Sequence, residues 1–203
     1  MKAQMISALT IYSLATQIYA GGDVVPMENT APSEVVEAHT EHETHGRFYV
    51  IVKGLTISGD TAPHGDTTLD GDRGYGFGID VGYMFGNGFG LEYDFSYATN
   101  TVTETDEHHH SEEANGKYYT HALDIVYVYH LSHTVGIFVK AGYEYEIEEI
   151  KDFHIDSEAN GALFGFGFEV SMNEDYRFVA EVEKSNIDGP RGNSIFAGVM
   201  YVF

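Results

Sequence analysis

The sequence predicts an all-β chain, an eight-stranded antiparallel up-and-down transmembrane β-barrel. Three observations lead there. Beyond Gly46, apolar residues recur with period two in segments of about 9–11 residues, the length that crosses a bilayer at a tilt. The connections between these segments alternate long and short. The face opposite each apolar stripe is rich in glycine, as the narrow interior of a small barrel requires. The competing architecture is a soluble lipocalin-like barrel or β-sandwich, which would bury its apolar face inward.

The elements follow in order. The first strand is expected over Arg47–Ile57. The second is the clearest, with Tyr75, Phe77, Ile79, Val81, Tyr83 and Phe85 against Gly76, Gly78, Asp80, Gly82 and Met84. Gly86-Asn87-Gly88 is a tight turn. The third strand sets Phe89, Leu91, Tyr93, Phe95 and Tyr97 against Gly90, Glu92, Asp94 and Ser96. The fourth covers residues 119–130, and residues 131–134 turn the chain. The fifth sets Val135, Ile137, Val139, Ala141, Tyr143 and Tyr145 against Gly136, Phe138, Lys140, Gly142 and Glu144. The sixth covers 162–172, followed by the turn Asn173-Glu174-Asp175; the seventh covers 176–184 and the eighth 193–203. The long connections are 58–73, 98–116, 146–159 and 185–192. Long loops on one side and tight turns on the other are the asymmetry of transmembrane barrels.

Composition narrows the function. The 203 residues contain no cysteine, which excludes a disulfide framework, a zinc–thiolate site and a thiol nucleophile. The formal charge is −22, so nucleic acid is not an expected partner. Divalent cations or basic partners are the natural counter-charges of such a chain.

Residues 1–20 read as a signal peptide: Lys2, a short apolar stretch, and Ala20 ahead of Gly21-Gly22. Residues 21–45 lack periodicity and read as an acidic, histidine-bearing periplasmic lead. The barrel is expected over 46–203. Its last residues alternate Ile195, Ala197, Val199, Tyr201 and Phe203 on one face, and this strand is expected to pair with the first and the seventh.

The export signal, eight amphipathic strands, loop alternation and closing Val199-Met200-Tyr201-Val202-Phe203 resemble small porin-like outer-membrane proteins of the OmpA-like β-barrel superfamily. The resemblance covers about residues 46–203 and rests on pattern. It implies the outer membrane of a Gram-negative cell and a structural, adhesive or unknown function. Tyr201 and Phe203 match the signal read by the barrel-assembly machinery in that family, which becomes an expected partner together with outer-membrane lipid and lipopolysaccharide. A monomer is expected.

Alternation sends Asp80, Glu92, Asp94, Asp124, Glu144, Glu169 and Glu181 into the lumen, with Lys53, Lys140 and Arg177 as counter-charges. Isolated buried charge is costly, so these residues are expected to form a paired network that plugs the barrel. The excess of acids leaves a narrow cation-selective path as the alternative. His39, His42 and His45, and separately His108, His109 and His110, lie among carboxylates and are candidate metal ligands. The plainer reading of both tracts is solvated polar chain. Asp66, Asp70, Asp72 and Gly71 resemble a fragment of a calcium loop without its distal glutamate. No cofactor is expected beyond divalent cations at the acidic loops, where they would bridge to anionic lipopolysaccharide.

A second resemblance is partial. Glu183-Lys184-Ser185-Asn186 is similar to the active-site strand of outer-membrane lipid A deacylases, which carry His-x-Ser-Asn there. Ser185 and Asn186 fit, but Glu183 stands where the essential histidine belongs. A carboxylate is a poor general base for serine. The expected function is therefore structural or surface-interacting and non-enzymatic, with no catalytic residue assigned.

Overall fold

The terminal strand does not remain an edge. The computed structural model describes residues 46–203. There the last strand, β10 (Ser194–Val202), pairs antiparallel with the first, β1 (Arg47–Ile57), in a ladder running from Tyr49–Val202 to Ile57–Ser194. Between them lie β2 (Thr61–His64), β3 (Thr67–Gly71), β4 (Gly74–Met84), β5 (Phe89–Thr105), β6 (Ser111–His130), β7 (Val135–Ile150), β8 (Ile155–Ser171) and β9 (Tyr176–Ser185). Going round, β1, β4, β5, β6, β7, β8, β9 and β10 pair each with the next, and β10 closes onto β1. This is the predicted eight-stranded ring. Closure removes the sheet edge, as backbone in hydrocarbon demands. The predicted signal peptide and periplasmic lead, with His39, His42 and His45, lie outside the described residues.

Two of the expected loops are mostly strand. β5 and β6 stay paired from Phe89–Tyr127 out to Thr105–Ser111, and β7 and β8 out to Ile150–Ile155. The distal part of β5 reads Thr99, Thr101, Thr103 and Thr105 against Val102. Threonine favours strands, but it carries no apolar period for the eye to follow. The first expected loop contains the β2–β3 hairpin. It stands outside the ring, where β3 continues along β5 beyond the reach of β4, from Gly71–Val102 to Thr68–Thr105. Leu69, Val102, Ala114, Ile150 and Ile155 form a small apolar cluster that ties these extensions together.

The two faces of the ring divide by polarity. Phe77, Ile79, Val81, Leu91, Leu123, Ile125, Val139, Phe164 and Phe166 are exposed on the outside. A contiguous belt of this size is the surface lipid covers. Phe203 is 68 % exposed and stacks edge-on against Tyr201, whose ring lies 4.8 Å away. Inside, large side chains lie against glycines of the neighbouring strand. Tyr49 lies over its partner Gly82, and Lys53 runs between Gly78 and Gly198.

A Cβ on Gly82 would stand 2.2 Å from the Tyr49 ring. Gly82→Val is expected to lower the unfolding free energy in lipid vesicles by about 1–3 kcal/mol, the cost of overpacking. Wild-type stability in a urea titration would contradict the close approach.

Candidate functional site

The middle of the lumen holds a cross of alternating charge. Lys53 on β1 and Lys140 on β7 project from opposite walls of the ring, and Asp94 on β5 and Glu183 on β9 from the two walls between them. Each lysine touches both acids. Lys53 Nζ lies 2.5 Å from Asp94 Oδ2 and 3.9 Å from Glu183 Oε1. Lys140 Nζ lies 3.5 Å from Asp94 Oδ2 and forms a close ion pair with Glu183 Oε1. More acids surround this cross. Lys53 also faces Asp80 at 3.0 Å, and Lys140 faces Glu181 at 2.8 Å and Glu92 at 3.3 Å. Tyr49 donates to Glu92 Oε2 at 2.8 Å, and Lys53 lies over the Phe196 ring at 3.9 Å.

The acids outnumber their partners. Register sets Asp80 directly opposite Asp94 and Glu92 opposite Asp124, an unfavourable placing for like charges. Asp124 is 1 % exposed and has neither hydrogen bond nor ion pair among the described residues. Asp80, Glu92 and Asp94 could offer one oxygen each within 4.8 Å of one another. The two ammonium groups already occupy the contacts of that trio.

Toward the long hairpins, the lumen is closed by the chain itself. The segment between β9 and β10 folds inward and delivers Arg191, which is buried. Its Nη2 lies 2.5 Å from Glu144 Oε1 and its Nε 2.5 Å from Glu146 Oε2. The segment is stitched to the first connection: Gly59 N–H donates to the Arg191 carbonyl and Asp60 N–H to that of Pro190. Asn100 Nδ2 also donates to the Pro190 carbonyl at 3.1 Å, while its Oδ1 accepts from Tyr118.

Toward the short turns, the character changes. A cavity of about 560 Å³ opens below Tyr49, Glu92 and Glu181, with Arg47, His130, Glu169 and Arg177 among its lining. Arg177 forms a close ion pair with Glu169, and His130 Nε2 lies 3.7 Å from the same carboxylate.

A family model described as the outer membrane protein beta-barrel domain matches residues 32–203. The chain belongs to this family. Among solved structures, the outer membrane protein OprG from Pseudomonas aeruginosa is 16% identical, with a TM-score of 0.62 over 79% of this chain and 97% of that one. Neisserial surface protein A (NspA) is 15% identical, with a TM-score of 0.53 over 77% of this chain and 97% of that one. At such identity these likenesses speak for the fold alone. A search of curated proteins gives no match. As a member of the outer membrane protein beta-barrel domain family, the protein resides in the cell outer membrane. Its short turns then face the periplasm and its long hairpins the outside.

In this outer-membrane barrel, the structure brings Lys53, Asp80, Glu92, Asp94, Asp124, Lys140 and Glu181 to the middle of the lumen. Glu144 sits nearer the outside with Arg191, and Glu169 and Arg177 lie at the periplasmic end. Four buried charges were not expected. Glu146 and Glu148 share the parity of Glu144, and only the early end assigned to the fifth strand hid them. Glu183 shares the parity of Glu181. Arg191 lies in a loop and carries no periodic signal. Glu183 bears on the deacylase resemblance: it points inward to Lys140. Ser185 Oγ accepts from Ile187 N–H and Asn186 Oδ1 from Ala162 N–H, so both side chains hold the start of the loop.

On the outside, two motifs separated in sequence converge. Asp66 and Asp70 of the β2–β3 hairpin line one surface recess with Asp106, Glu107 and His109. Asp106 organises the β5–β6 tip. Its Oδ1 accepts from His110 N–H at 2.9 Å and His108 N–H at 2.8 Å, and its Oδ2 lies 3.2 Å from His110 Nδ1. His109 holds a positive φ of 63° within this turn.

Two tests follow from this geometry. Lys140→Met leaves the acids around it buried without their shared cation, and is expected to cost about 3–5 kcal/mol. Lys140→Met combined with Glu183→Gln should recover part of that loss in equilibrium unfolding; a double variant as unstable as the single would contradict direct pairing. At the tip, the His110 backbone bond, followed by the other His contacts, holds the Asp106 carboxyl below its ordinary range. A lowered folded pKa stabilises the turn above the unfolded value of about 3.9, and the effect is lost as pH falls through the folded pKa. An NMR titration should give Asp106 a midpoint below that of a model aspartate.

Proposed function

We propose that this protein is a non-enzymatic component of the cell envelope that braces the outer membrane and presents an acidic surface to the outside. The observation that carries this reading is Arg191, set by its loop into the outer half of the lumen between Glu144 and Glu146, above the lysine–carboxylate cross. Two successive ionic layers make the barrel a pillar with a filled centre. The acidic recess at the hairpin tips supports contact with anionic lipopolysaccharide through divalent cations, since both surfaces are negative. Tyr201 and Phe203, on the outer face at the end of β10, suit capture by the barrel-assembly machinery.

The excess of acids in the lumen favours a second reading, a narrow cation-selective path. Planar-bilayer recording separates the two. The purified barrel is expected to give no unitary conductance; stable cation-selective steps would replace the structural reading with the channel. The folded state of the barrel used in the recording is checked by heat-modifiable gel mobility.

A further inference from the structure

We infer that Glu146 and Glu148, at the outer end of the lumen, form a binding site for a divalent cation, calcium. This goes beyond the bracing role proposed above, and the site shares no residue with the acidic recess at the hairpin tips. Glu144, Glu146 and Glu148 take successive inward positions on β7, about 7 Å apart along the strand, and all three are buried. Among the described residues one cation serves them. Arg191 pairs with Glu144 and Glu146 and makes no ion pair with Glu148.

Glu148 is left over. It is 8 % exposed, and its Oε1 has no hydrogen-bond partner among the described residues. Its Oε2 accepts only a long bond from Ser157 Oγ, at 3.5 Å. A buried carboxylate is costly unless a cation or a set of donors completes it. Glu148 and Glu146 also turn toward one gap. Glu148 Oε2 and Glu146 Oε1 lie 3.8 and 3.9 Å from the point where a Cβ on Gly189 would stand, and the glycine has no side chain to occupy it. Ser157 stands opposite Glu148 in the β7–β8 ladder and is exposed, which marks the side from which an ion enters.

Charge and donor type name the ion. Three carboxylates against one guanidinium leave two negative charges, which one divalent cation balances. The donors are two carboxylates and a hydroxyl, and oxygen donors select hard cations. Calcium accepts carboxylates through one or both oxygens in variable geometry and completes its shell with water. Magnesium demands a near-ideal octahedron, which two side chains of one strand do not supply. An ion held beside Gly189 also fastens the loop that carries Arg191 into the lumen.

The test uses Tb³⁺, a hard ion of calcium's size whose emission is sensitised by a nearby tyrosine. The buried Tyr118 stands opposite Glu148 in the β6–β7 ladder, and the chain has no tryptophan. The full chain in phosphatidylcholine nanodiscs, stripped of metal beforehand, is titrated with Tb³⁺ under tyrosine excitation. Saturable emission is expected, and Ca²⁺ is expected to displace it. Glu148→Gln keeps the shape of the side chain and removes its charge, while Ser157→Lys offers an ammonium in place of the ion from an exposed position. Each is expected to weaken binding at least about tenfold. Asp66→Asn, in the recess, is expected to leave it unchanged. Two site variants are used so that one misfolded protein does not decide the matter; heat-modifiable mobility identifies the folded ones. Emission no greater than that of empty nanodiscs overturns the proposal, as does undiminished emission from a folded Glu148→Gln or Ser157→Lys barrel. Emission lost in Asp66→Asn overturns it as well, because the ion then sits in the recess. Failure of Ca²⁺ to displace Tb³⁺ overturns the assignment to calcium.

Discussion

In hydrocarbon an unpaired backbone N–H or C=O finds no water to bond, and the ladder between β1 and β10 is where this chain meets that constraint. The rest of the barrel depends on it. Once the ring closes, every strand of the ring has two ring neighbours and one inward face. Each alternate residue must then be accommodated in a space narrow enough for a lysine to reach across. The outward residues can be large and apolar because lipid is their solvent. The inward ones must fit against each other, and glycines such as Gly78, Gly82 and Gly198 make room for Lys53 and Tyr49.

Closure also makes the charge pattern workable. Along the sheet, register sets like charges opposite each other, Asp80 to Asp94 and Glu92 to Asp124. Local pairing alone would make this arrangement repulsive. The compensation comes across the lumen, where Lys53 and Lys140 approach from opposite walls and share Asp94 and Glu183. Such a network supports stability only while complete, because one missing partner leaves its neighbours buried and charged. It also divides the interior into an ionic outer portion and a periplasmic portion lined by both apolar and charged side chains. The proposed structural pillar rests on the first portion.

The barrel was legible because its signal is repeated. Eight period-two segments, three tight turns and a terminal aromatic strand all point to one architecture, and lipid demands the same alternation from every strand. The hairpin extensions were not legible. Beyond the bilayer neither face needs to be apolar, so Thr99–Val102 carries no apolar period while keeping the ladder. Glu146 and Glu148 could have been found by carrying the parity of Glu144 onward. Arg191 could not, because a loop side chain has no parity.

The sequence by itself determined that this chain forms a membrane barrel and which face of each recognised strand turns inward, since alternation is a local property of each strand. Only the tertiary structure decided which charges meet, how the loop before β10 closes the outer lumen, and that the Asp66–Asp70 hairpin shares a recess with the histidine tip. Those are relations between strands far apart in the chain. They depend on ring order, register and the reach of particular side chains, none of which a single strand's pattern contains.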